Sequence, residues 1–338
     1  MSHRFLSSLG TAAAVAAVAS TIVAQTPKRT AGQPAVPDRA KAWTPPRTAD
    51  GRPDLQGDWS NASLTPFERS QEFAGKEFFT AKEAAEFTRK TLEQSNRDRR
   101  GATPQEDVNG AYNEAWFERG TRLLSNLRTS VVVDPPDGRV PALLPEARAA
   151  AAERAAIQRR PPEGPEDFAL PVRCIQWGTS GPPMVPGPYN NNYRIIQTRD
   201  AIAIEVEMIH DARIIPLDGR PHLPSSIRQW MGDSVGHWEG DTLVVDTTNF
   251  TDKTHFRGSD QNLHVVERFT RTAEDAIQYR FTVDDPTAFS RPWTGEIMMG
   301  RAPGPLYEYA CHEGNYSLAN ILAGTRAQEK AAGEARKK

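Results

Sequence analysis

Between residues 190 and 312 the hydrophobic pattern runs at period two without an intervening helix, and no other feature constrains the chain as much. Candidate strands fall at 193–198, 201–210, 212–216, 242–247, 264–271, 276–283, 295–300 and 306–311. Turn residues separate them: Arg199-Asp200, Leu217-Asp218-Gly219-Arg220, Glu239-Gly240-Asp241, Ala273-Glu274-Asp275 and Pro303-Gly304-Pro305. Successive strands of this kind pair as antiparallel hairpins, and a long succession must curve or close to bury one face. The expected fold class is therefore mainly β (α+β), an antiparallel β-barrel or curved sheet with a helical N-terminal region and a C-terminal helix.

Upstream the pattern changes. Residues 1–24 carry His3 and Arg4 followed by an alanine-rich apolar run, the pattern of a secretory signal cleaved after Ala24. Residues 25–48 are rich in proline and basic residues without periodicity and read as a disordered leader. A region over 49–165 is expected to be partly helical and to pack on the sheet. Thr80 and Glu83 match a capping box for a helix over 80–100, and Pro145 suits the first turn of a peripheral helix over 145–160. Between them Ser130-Val131-Val132-Val133-Asp134 reads as a short strand. The β-rich core then spans 166–325, with a helix-compatible stretch at 317–332 and a charged tail over 326–338.

Composition removes several classes of function. A formal net charge of −2 over 338 residues gives no basic footprint for nucleic acid. Two cysteines exclude a disulfide-dense scaffold and a four-cysteine metal cluster. In an oxidising compartment Cys174 and Cys311 would pair across a long loop; two separate buried thiols are the alternative. No P-loop or Gly-x-Gly-x-x-Gly occurs, so no cofactor is expected. Six of the seven histidines lie between 210 and 312, but without the spacing of a metal motif: His237-Trp238-Glu239 resembles a deaminase signature lacking its cysteine partner. No metal is expected. Once the signal is removed, no stable membrane insertion is expected either.

Strand parity supplies the candidate site. A polar residue on an apolar row must be buried or line a cavity. His210 continues the row of Ile202, Ile204, Val206 and Met208, and Glu267 interrupts the row of Val265 and Phe269. Burial raises a carboxyl pKa and lowers that of an imidazole, which suits acid–base chemistry near neutrality, although a structural ion pair or a hydrogen-bonded core histidine produces the same pattern. Arg213 or Arg268 would stabilise charge, while Asp211, Arg220, His237, Trp238, Glu239, Trp293, His312 and Glu313 would surround the substrate.

Several longer strings add a resemblance: Asp50-Gly51-Arg52-Pro53-Asp54-Leu55-Gln56-Gly57, Val133-Asp134-Pro135-Pro136-Asp137-Gly138-Arg139, His210-Asp211 with Asp218-Gly219-Arg220, Gly236-His237-Trp238-Glu239-Gly240-Asp241-Thr242-Leu243-Val244-Val245-Asp246-Thr247, Glu267-Arg268-Phe269, and Tyr307 through Tyr316. Over nearly the whole mature chain they resemble a family of secreted bacterial proteins to which no activity is attached. The resemblance implies export, to the periplasm or beyond, and a β-rich body similar to lipocalin-like barrels, and it carries over no catalytic set. The leading expectation is thus a cofactor-free lyase, hydratase or hydrolase acting on a small organic molecule or glycoside in a barrel cavity. The alternative is a non-catalytic extracytoplasmic protein that binds a small ligand.

Overall fold

The computed structural model describes residues 43–336 except Arg100 and residues 110–112. The expected signal segment and most of the leader therefore lie outside the described residues. Ten strands form a single sheet: β1 (Gly57–Ser60), β2 (Val132–Asp134), β3 (Asn192–Gln197), β4 (Ala201–Val206), β5 (Ala212–Pro216), β6 (Asp233–Glu239), β7 (Thr242–Thr248), β8 (His264–Ala273), β9 (Ala276–Asp284) and β10 (Trp293–Arg301). The order is β5-β4-β3-β1-β10-β9-β8-β7-β6, antiparallel throughout, with β2 added beside β10. The ends of this path, β5 and β6, come together, so the sheet is a nearly closed barrel. Gly236 permits the closure. A Cβ there would lie 2.9 Å from both Ile215 Cγ2 and Leu217 Cδ2.

Alternation builds the interior. Along β8 and β9 every second residue is buried, placing Val265, Glu267 and Phe269 beside Ile277, Tyr279, Phe281 and Val283. Trp59, Tyr193, Ile195, Ile202, Ile204, Leu243 and Val245 complete the inward rows, so side chains fill the barrel. Gly295 makes room for one of them, because a Cβ there would fall 2.2 Å from Phe281 Cζ.

Among the described residues there are four α-helices: α1 (Ala81–Ser95), α2 (Pro104–Asn109), α3 (Pro145–Arg159) and α4 (Ser317–Ala335). The Thr80–Glu83 capping box is formed, with Thr80 N–H donating to Glu83 Oε2 at 2.8 Å. α3 buries no residue completely, as its alanine-rich, polar surface implies. Among the described residues no helix is long and apolar enough to cross a membrane.

Three expectations need correction. The strand over 201–210 stops at Val206, where the chain turns through a short 3-10 segment with Ile209 and His210 at φ 66° and 58°. Residues 306–311 are irregular rather than a strand, held by a disulfide and by Tyr307 N–H, which donates to Glu207 Oε1. β1 and β6 were absent from the expected strands. β1 has one apolar anchor, Trp59, and owes its place to long-range pairing: Trp59 sits opposite Tyr193 on one side and Arg301 on the other. In β6, Gly236 takes the position where an inward apolar side chain would have revealed the period.

Candidate functional site

Parity located the buried charge correctly. Glu267 is 0% and Arg213 5% exposed. The guanidinium forks onto the carboxylate, Nη2 donating to Oε1 at 3.0 Å while Nη1 bonds Oε2. Tyr279 Oη–H donates to the same Oε1 at 2.8 Å and itself accepts from Met184 N–H at 2.9 Å. Burial first, then the negative charge of Glu267, pushes the Tyr279 hydroxyl well above an ordinary phenol, so it remains a donor. Nearby, Tyr193 Oη–H donates to Thr179 O at 3.1 Å and accepts from Asn61 Nδ2. The segment carrying Thr179 and Met184 thereby stops the barrel from within.

His210 does not join this network. It is half-exposed on the turn after β4, its Nε2 3.4 Å from Glu205 Oε1 on the outward row. The interior parity expected for it fails because the strand ends before it is reached. Other expected residues scatter likewise. Arg220 pairs with Asp218 on an exposed turn, Glu239 with Arg268 and His237 at the outer end of β6, and Asp211 turns back to the Ala212 amide. His312 and Glu313 are exposed, and Trp238 is partly buried against the core. Trp293 is completely buried, edge-on to Phe67, Phe281 and Phe289 and stacked on Phe256.

Phe256 connects that aromatic cluster to a cleft of about 350 Å³ at the protein surface. The cleft is walled by α3 through Arg154 and Ile157, by Phe168, Leu170 and Pro171 of the segment after it, and by His255 and Phe256 of the β7–β8 connection. Gly181 and Pro182, which lie between Thr179 and Met184 in the chain, form part of the lining. Arg154, Arg173 and Lys253 bring positive charge to the wall and Glu166 and Asp167 negative charge; Arg154 pairs with Asp260 at 3.6 Å and Arg173 with Glu166 at 4.0 Å. Asp167 is partnered by Arg160, and burial in the cleft wall, then the Arg154 charge, lowers the His255 pKa and leaves the ring neutral at pH 7. None of these lining residues was a sequence candidate: they come from three separated segments, and only Ile157 and the Phe168-Ala169-Leu170-Pro171-Val172 run sit in recognisably apolar contexts.

A second constellation was also missed. On the outer face of β6, β7 and β8, His222 Nδ1 lies 2.9 Å from Asp233 Oδ2 and its Nε2 2.9 Å from Asp246 Oδ1, while His264 Nε2 lies 2.9 Å from Asp246 Oδ2. His222 thus bridges the two carboxylates, one ring nitrogen on each. The Asp246 hydrogen bond raises His264 against the opposing effect of burial. Burial pushes Asp246 up, but His264 and then His222 outweigh it and hold the carboxyl low. The signs fix a pH window. Stabilisation from His264 is complete below the unfolded imidazole value of about 6.5 and is lost as pH rises through its higher folded value. Stabilisation from Asp246 is complete above about pH 3.9 and is lost as pH falls through its depressed value. Urea melts of the wild type minus those of Asp246→Asn should therefore differ most between about pH 4 and 6.5. A difference independent of pH would show that the quartet carries no linkage.

No family model matches the chain, and no curated protein matches it. Among solved structures it is similar to a variant of the fluorescent protein UnaG, with 14% identity, 33% of this chain and 72% of that one covered, and a TM-score of 0.21. So loose a likeness says nothing about ligand or chemistry, and the barrel assignment stands on the strand pairing itself.

Proposed function

We propose that this is an exported protein, of the secreted family its longer strings resemble, that binds a small amphipathic organic anion in the cleft between α3, the 166–182 segment and the β7–β8 connection. One observation carries the reading: a largely apolar cavity of drug-ligand size with Lys253 on its wall beside the ion-paired Arg154 and Arg173. The Cys174–Cys311 disulfide supports an oxidising, extracytoplasmic setting. A binding role is favoured over acid–base catalysis because Glu267 is saturated by Arg213 and Tyr279 while His210 lies on the outside, leaving neither aimed into a cavity.

The test uses anilinonaphthalene sulfonate as fluorescent probe and aliphatic and aromatic monocarboxylates as competitors. Saturable enhancement, reversed by the competitors, is expected. Phe168→Ala should weaken probe binding about tenfold or more, the burial energy of an aromatic wall. Lys253→Glu should weaken the anionic competitors more than their neutral alcohol analogues. Equal affinity in wild type and Phe168→Ala, with both folded by circular dichroism, would refute the assignment.

A further inference from the structure

The turn after β2, Pro135-Pro136-Asp137-Gly138-Arg139, belongs to one of the long strings in the sequence, and the ligand cleft does not use it. It closes over Arg69, in the loop between β1 and α1. Arg69 N–H donates to Gly138 O at 2.8 Å, and its Nη1 donates to Pro136 O at 2.8 Å. Gly138, at φ 73°, permits the approach, because a Cβ there would fall 2.9 Å from Arg69 Cβ and 2.5 Å from Ser130 Oγ. Arg69 Nε donates to the Thr129 hydroxyl at 2.9 Å. The residue is 4% exposed.

Both side-chain acceptors are neutral. Among the described residues Arg69 forms no ion pair, and its Nη2 donates to nothing. The neighbouring acids are engaged elsewhere: Glu68 pairs with Arg257 at 3.2 Å and Asp134 with Arg291 at 2.8 Å. A buried guanidinium without an anion is costly, and its planar fork matches two oxygens of a carboxylate or phosphate. A second observation shows where such an anion fits. Arg69 lines a cavity of about 310 Å³ together with Arg139, Ser70, Gln71, Gly75 and Asp137. Arg139 also forms no ion pair among the described residues; its Nη2 lies 3.4 Å from Gln71 Oε1. Asp137 Oδ1 accepts from Arg139 N–H at 3.0 Å.

We propose that this cavity is a second ligand site, in which Arg69 and Arg139 hold a small hydroxylated oxyanion, an acidic sugar or a sugar phosphate. Arg69 is pre-oriented by Thr129 and Pro136, so its free donors meet the anion without further ordering of the side chain. Arg139 adds a second positive charge. Ser70, Gln71 and Asp137 supply the donors and acceptors that ligand hydroxyls need. Ala74 is the one side chain of this lining that is apolar beyond a backbone, so a hydrocarbon acid gains little here. The volume stands at the low end of ligand pockets, about 300–1,000 Å³, and suits a single sugar unit. This site does not depend on the ligand cleft.

The test is isothermal titration calorimetry of the full chain with glucuronate, glucose 6-phosphate, glucose and acetate at constant ionic strength. Saturable binding of one or both sugar anions is expected, with glucose and acetate weaker by about tenfold or more. The tighter of the two anions identifies the acidic group as carboxylate or phosphate. Arg139→Gln changes an exposed side chain and should keep the fold while weakening the anion by about tenfold or more. Arg69→Lys keeps the charge, loses the fork and should weaken it similarly; Arg139→Gln carries the test alone if that variant does not fold. Lys253→Glu, in the cleft wall, should leave the affinity unchanged. No binding of either sugar anion overturns the site, as does binding undiminished in Arg139→Gln, equal binding of glucose or acetate, or a loss confined to Lys253→Glu. Such a failure would leave the cleft reading standing, which is judged by probe binding in Phe168→Ala.

Discussion

Replacing Glu267 by alanine should destabilise the protein by about 3–5 kcal/mol, a large share of the 5–15 kcal/mol typical of a folded domain. The cost arises mainly from what remains. Arg213, 5% exposed, would keep its charge inside the barrel with its fork of donors unmatched. Tyr279 would also lose the acceptor of its hydroxyl. The double change Arg213→Met with Glu267→Leu removes both charges and keeps apolar volume, and by the same physics should recover most of the loss. Urea unfolding of the two single variants and the double gives the coupling directly. If the double variant were as unstable as Glu267→Ala, the network would be stabilising through its hydrogen bonds to the barrel stopper rather than through mutual neutralisation.

Removing the Cys174–Cys311 bridge, as Cys174→Ser with Cys311→Ser, should lower stability by about 2–5 kcal/mol and Tm by about 5–15 °C. The bridge spans 137 residues, nearly the whole barrel from the cleft wall to the segment beyond β10, so its removal releases much unfolded-chain entropy. It also fixes the backbone next to Arg173, Leu170 and Pro171 on the cleft wall. Probe binding should therefore weaken in the serine variant under conditions where far-ultraviolet circular dichroism still reports a folded barrel. An unchanged Tm would mean that the irregular C-terminal segment detaches locally without cost to the barrel. Unchanged binding with a lowered Tm would separate the cleft from the crosslink.

Much of the fold was legible because the signals were local. The capping box at Thr80, the proline opening α3, the hairpin residues Glu239-Gly240-Asp241 and the alternation of β8 and β9 all lie within a few residues of what they specify. Glu267 was legible for the same reason: a carboxylate on an apolar row has to be buried, and the only question is its partner. Arg213 is that partner, but the His210-Asp211-Ala212-Arg213 run offered it only as a charge stabiliser, since nothing local to β5 says which strand it faces across the barrel. His210 shows where parity stops. Extending a strand by four residues assigns faces that an unseen turn with positive φ reverses.

The sequence by itself determined the antiparallel class, the inward rows, the three longer helices and the buried acid, because periodicity and turn chemistry act over two to four residues. Only the tertiary structure decided the rest. It placed β1 between β3 and β10, paired Arg213 with Glu267, joined Asp233, His222, Asp246 and His264 into one chain, and gathered the cleft from distant segments. Each joins residues far apart in the chain, and their meeting is set by the summed pairing, twist and packing of all the strands rather than by any one of them.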